Sequence, residues 1–94
     1  MEYEYYIVKT ENATGGASSA KIRVSPIEGQ GLLTSTKVEC SRSMRKEYPV
    51  GTLFKLRAKV TSKEGGTPFL YSRHDWHYEV ISETEAKNYV VKHF

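Results

Sequence analysis

Cysteine is almost absent. Of 94 residues only Cys40 carries a thiol, so no intramolecular disulfide can form and the fold cannot depend on an oxidising compartment. Long apolar runs are missing too: none approaches the roughly 20 residues a helix needs to cross a bilayer, so no membrane partner is expected. The opening Met-Glu-Tyr-Glu-Tyr-Tyr is acidic and has no apolar h-region. No secretory leader is therefore expected, and the expected location is cytoplasmic. Asn12-Ala13-Thr14 matches a glycosylation acceptor, which without export reads as chance.

Catalytic and cofactor motifs are equally scarce. No Gly-x-Ser-x-Gly elbow occurs. The pairs Gly15-Gly16 and Gly65-Gly66 lack the following Lys-Ser/Thr of a phosphate loop and read as turn glycines. Ser-x-x-Lys occurs twice, at Ser18–Lys21 and Ser43–Lys46, without the other motifs of Ser-Lys hydrolases. His77-x-Glu79 matches the start of the zinc-deaminase pattern, but that pattern also needs Pro-Cys-x-x-Cys, which a chain with one cysteine cannot supply. His74, Asp75, His77 and Glu79 are close in sequence, yet zinc sites draw His or Cys pairs from two separate places, and only Cys40 and His93 remain. No metal, cofactor or catalytic residue is expected. A metal-independent nuclease with His74 and His77 as acid and base is the enzymatic alternative.

What is present is an ordinary globular composition: 38% hydrophobic, 27% charged and 12% aromatic, the aromatics being seven Tyr, three Phe and one Trp. This length supports one core and hence one domain. The net charge of +3 is modest but unevenly spread. Residues 37–73 hold nine Lys/Arg against three Glu, a net of +6, and the rest hold five Lys/Arg against eight acids, a net of −3.

Apolar residues recur mostly with period 2, which predicts strands. The first strand is expected over 3–10, apolar on both faces and therefore central. A polar loop follows over 11–20. Lys21-Ile22-Arg23-Val24 alternates as a second strand, ended by Pro26 and a Glu28-Gly29-Gln30-Gly31 turn. A third strand is expected over 33–41, with Val38 and Cys40 inward and Lys37 and Glu39 outward. Residues 41–48 are polar and basic, with a helical turn that Pro49 stops. The clearest strand is 52–61: Phe54, Leu56, Ala58 and Val60 alternate with Lys55, Arg57 and Lys59, so a one-residue slip would bury three cations. Residues 63–67 form a glycine-containing hairpin turn, 69–72 return as a strand, 73–75 turn again, and 76–81 form the last strand. Ser82-Glu83-Thr84-Glu85 is a capping box. Ala86, Tyr89 and Val90 form an apolar stripe, and acids precede bases along 83–93, which predicts a C-terminal helix.

These elements predict a mostly β (α+β) domain of about six strands with a C-terminal helix, as an antiparallel meander or a small OB- or SH3-like barrel. Lys55, Arg57 and Lys59 project from one strand face, with Lys21, Arg23 and Lys37 on its neighbours. None of the three outward positions in 55–59 is acidic, although a merely solvated face would explain cations as well. Residues 69–78 interleave Tyr71, Arg73, His74, Trp76, His77 and Tyr78, the mixture of rings and cations that base stacking uses. Phe69 and Tyr78 are expected in the core, and Trp76 suits core or surface equally. Cys40 is expected to be a buried small hydrophobe.

The functional expectation is a binding module for single-stranded nucleic acid or another phosphate-rich ligand. Arg45, Lys55, Arg57 and Lys59 would meet phosphates, and Tyr71, Arg73, His74 and Trp76 would meet bases. The competing expectation is a protein-interaction module, an inhibitor or a subunit of a larger assembly, that recruits a protein partner or forms an oligomer by strand addition at the Tyr-rich first strand.

Overall fold

A computed structural model describes residues 4–12, 22–62, 65–73 and 75–94. In chain order the elements are β1 (Glu4–Asn12), β2 (Ile22–Pro26), β3 (Val38–Glu39), α1 (Ser43–Lys46), β4 (Leu53–Thr61), β5 (Phe69–Tyr71), β6 (Tyr78–Ile81) and α2 (Glu83–His93). The loop expected over 11–20 lies mostly outside the described residues, and its first two positions belong to β1.

Alternation decides which side chains enter the interior. On β4, Phe54, Leu56 and Ala58 are buried, as the period-2 pattern requires. Val60, at the strand's end, is 43% exposed instead. Tyr6, Val8 and Val24 from β1 and β2, Val38, Met44 of α1 and Leu70 complete one apolar cluster. β1 pairs with β2 on one side and β4 on the other, so it is central as expected. Both sides carry a strand at Val8 and Lys9; towards its start β1 is paired with β4 and towards its end with β2.

The strand order is β2-β1-β4-β5-β3, with β6 also on β4. β3 runs parallel to β5 and closes back against β2, leaving a nearly closed barrel. Of the two arrangements expected, the barrel forms and the meander does not. Strands β1 and β4 are far apart in sequence yet adjacent, which is the Greek-key order of an OB-type barrel, with α1 in the β3–β4 connection.

β5 and β6 are one return strand interrupted. Lys59 opposes Tyr71 and Leu56 opposes Tyr78, so three steps along β4 are matched by seven on the returning chain, four more than a plain ladder needs. Both flanks of the excursion are fastened to Arg57: its N–H donates to the His77 carbonyl (3.2 Å) and its carbonyl accepts from Ser72 Oγ (2.7 Å). The last strand therefore begins at Tyr78, not at 76. Such an insertion is a β-bulge in kind, re-aiming the side chains it carries.

The third strand is shorter than expected. Only Val38 and Glu39 pair, because the partner β5 offers only three residues. Residues 32–37 turn instead: the Thr36 N–H donates to the Leu33 carbonyl (3.0 Å), and Leu33 is 75% exposed.

A second, smaller apolar layer lies on the outer face under α2. Ile7 points away from the barrel interior yet is fully buried, as is Ala86 on the helix. The capping box forms, with Glu85 N–H donating to Ser82 Oγ (3.1 Å) and the Ser82 N–H donating to Glu85 Oε1 (2.9 Å). Tyr89 Oη donates to the Tyr5 carbonyl (2.7 Å). Gln30, buried in the turn after β2, acts as a short substitute strand: its Oε1 accepts from the Ile7 N–H (2.7 Å) and its Nε2 donates to the Ile7 and Ile27 carbonyls (2.9 and 3.0 Å). Beside it, Gly29 has φ +95°, and a Cβ there would lie 2.8 Å from Val90 Cγ1, so only glycine lets the turn approach the helix so closely.

Candidate nucleic-acid interface

The outward row of β4 meets three different environments. Lys55, at one end, is half-buried beneath α2. Its Nζ lies 4.8 Å from the Tyr89 ring centroid and 5.3 Å from that of Tyr5, with Ile7 and Glu79 as its cross-strand neighbours. Arg57, two residues on, is exposed, and its guanidinium carbon lies 5.6 Å from the Trp76 ring. Lys59, two further, opposes Tyr71. The excursion folds Trp76 back over the sheet, edge-on to Tyr71 at 5.9 Å. Its turn closes with the Trp76 N–H donating to the Arg73 carbonyl (3.0 Å).

Arg57, Lys59, Tyr71 and Trp76 thus form one surface, with two cations and two rings drawn from β4, β5 and the excursion. Arg73 flanks it but is held by Asp75 (Nε–Oδ1 3.3 Å). Arg23 and Lys37 also project outward, and each faces an acid: Arg23 lies 3.5 Å from Glu11, and Lys37 lies 3.7 Å from Glu39. Exposed pairs of this kind hold their partners weakly, so a phosphate could compete for the cations. Arg45 belongs to α1, where its charge acts on Cys40. His74 and Lys21 lie outside the described residues.

Phe69 is a correction. It is half-buried and faces outward, because Leu70 takes the interior position and the strand alternates. It lines an open groove of about 470 Å³ between the 33–39 segment and the end of the β4–β5 hairpin, together with Leu33, Lys37, Glu39 and Pro68. The alternation Phe69-Leu70-Tyr71 contained that signal, but ring size had suggested the core. Tyr78 does pack on the core, edge-on to Phe54 at 5.5 Å and to Tyr48 at 6.4 Å, and Ser43 Oγ hydrogen-bonds its hydroxyl (2.9 Å).

Burial pushes the Cys40 thiol up to about 11, against the opposing charge of Arg45, so at neutral pH it is protonated and unreactive. Among the described residues, no three His, Cys, Asp or Glu side chains converge as metal ligands would. Among them, too, no helix is long and apolar enough to cross a membrane. The geometry suits binding: flat rings for stacking beside cations for phosphates.

Compared with protein-family models, curated proteins and solved structures, the chain matches none.

Proposed function

We propose that this domain binds single-stranded nucleic acid across the outer face of β4 and β5. The observation that carries the reading is the Arg57–Trp76–Tyr71–Lys59 surface. A chain excursion four residues longer than pairing needs exists there, and it presents an indole beside a guanidinium and a second ring. Bases would stack on Tyr71 and Trp76, while Lys59 and Arg57 meet the backbone phosphates. The OB-type barrel supports the reading only as shape, because fold does not carry function.

Fluorescence anisotropy against labelled single-stranded DNA, single-stranded RNA and duplex, at three salt concentrations, tests it. Micromolar or tighter binding to single strands, weakening steeply with salt, is the expected result. No binding at the lowest salt overturns it.

A protein partner is the second reading, and one observation favours it. β6 pairs with β4 on one side, no other described strand covers its second side, and its Val80 is 50% exposed. A partner strand could add there. Concentration-dependent mass without polynucleotide binding would favour this reading.

A further inference from the structure

Phe69 and Tyr71 stand two residues apart on one strand face, so their rings emerge about 6.6 Å apart along β5. Stacked bases in a duplex strand are separated by only about 3.4 Å. A strand laid along both rings must therefore be extended, with one base unstacked onto each. Across the parallel β3–β5 pair, Glu39 is the register partner of Tyr71. Its side chain is 37% exposed on the outer face, and it also lines the groove that Phe69 borders. A carboxylate therefore sits at the edge of both stacking positions, in a surface otherwise supplied with cations.

A carboxylate accepts hydrogen bonds and donates none. Cytosine, adenine and guanine carry an exocyclic amino donor, whereas thymine and uracil present a carbonyl oxygen where cytosine carries its amino group. An amino group gives Glu39 a charge-assisted hydrogen bond, while a carbonyl there sets two acceptors against each other. Lys37, 3.7 Å from Glu39, offsets the carboxylate's charge toward a phosphate backbone.

Resting on the nucleic-acid reading above, we propose that Glu39 is the specificity-determining residue of this surface and selects amino-bearing bases, with cytosine preferred over thymine or uracil. Phe69 and Tyr71 hold successive bases, and Glu39 reads their edges.

The test is anisotropy with short oligodeoxycytidine and oligothymidine of equal length, at one salt concentration and slightly alkaline pH, where cytosine is unprotonated. Oligodeoxycytidine should bind about tenfold tighter. Glu39→Gln, whose amide can donate as well as accept, should bring the ratio close to one by tightening oligothymidine binding. Lys37→Met should weaken both oligomers and leave the ratio unchanged. Equal affinities for the wild type, or a ratio that survives in Glu39→Gln, overturn the proposal while leaving nucleic-acid binding intact. Binding of neither oligomer overturns the nucleic-acid reading itself, and the selectivity with it.

Discussion

Lys55 and Arg57 are two residues apart on one face of one strand, and both lie over aromatic rings, yet they occupy different halves of the molecule. Lys55 is roofed by α2, its ammonium held between Tyr5 and Tyr89. Arg57 lies against the excursion that carries Trp76, and it is exposed. Tyr5, the register partner of Arg57, marks the boundary between the two halves. A cation under a helix contributes to packing through its stem and ring contacts. A cation beside an indole at an exposed position lies where solvent reaches it. Two residues with the same pattern position therefore acquire different work from what the chain lays over them.

The largest effect should come from the fastening of the helix half. Gln30→Leu leaves the buried Ile7 N–H unpaired, at about 1–3 kcal/mol, and takes a donor from the Ile27 carbonyl, while the Ile7 C=O keeps the Ile27 N–H (3.1 Å), so chemical denaturation should show a loss of about 3 kcal/mol. Unchanged stability would mean that water replaces the amide and that the two halves are fastened alike. Gly29→Ala comes next, at about 2 kcal/mol from the positive φ and the approach to Val90. The double variant with Val90→Ala should recover the steric share only.

Trp76→Ala reverses the balance between the halves. Single-strand affinity should fall about tenfold or more, from roughly 1–3 kcal/mol per stacked base, while the melting temperature moves little. A large fall in stability instead would make Trp76 a packing residue and dissolve the contrast.

Alkaline pH should act on the helix half through Tyr89, as it does on the barrel through the Cys40 thiol. Burial, then the charge of Glu4, raises the Tyr89 phenol above its ordinary 10.0. The folded state therefore holds that proton more tightly than the unfolded chain. This contribution is fully present below pH 10 and lost as pH rises through the folded value. Thermal melts of Tyr89→Phe should decline less steeply over that range than the wild type.

The smallest effect sharpens the comparison most. Arg57→Met and Lys59→Met should each lower the salt slope of binding by about one, whereas Lys55→Met should leave both slope and affinity unchanged. A reduced slope for Lys55→Met would show that the ligand reaches beneath the helix.

Much of this was legible in the chain. The β4 alternation fixed its register, since Phe54, Leu56 and Ala58 could not share a face with three cations at reasonable cost. The Ser82–Glu85 box and the Ala86–Tyr89–Val90 stripe announced α2. The short β3 was not legible: its pattern continues back to Leu33, but a strand lasts only as long as its partner, and β5 is three residues long. Nor was Gln30, because a glutamine in a glycine turn looks solvated until a strand whose Ile7 N–H needs an acceptor passes beside it. Phe69 misled for a similar reason, since its size argued for the core while its parity, set by Leu70, argued for the surface.

The sequence by itself determined which residues alternate, where the turns and caps fall, that the strand charges face outward, and which disulfide, phosphate-loop and nucleophile-elbow motifs it lacks, because these depend on neighbours within a few residues. Only the tertiary structure decided that Lys55 is covered and Arg57 is not, that Trp76 folds back over Arg57, and that Glu39 stands opposite Tyr71. Those facts join residues 19 to 34 positions apart, and only the closure of the barrel brings them within reach of one another.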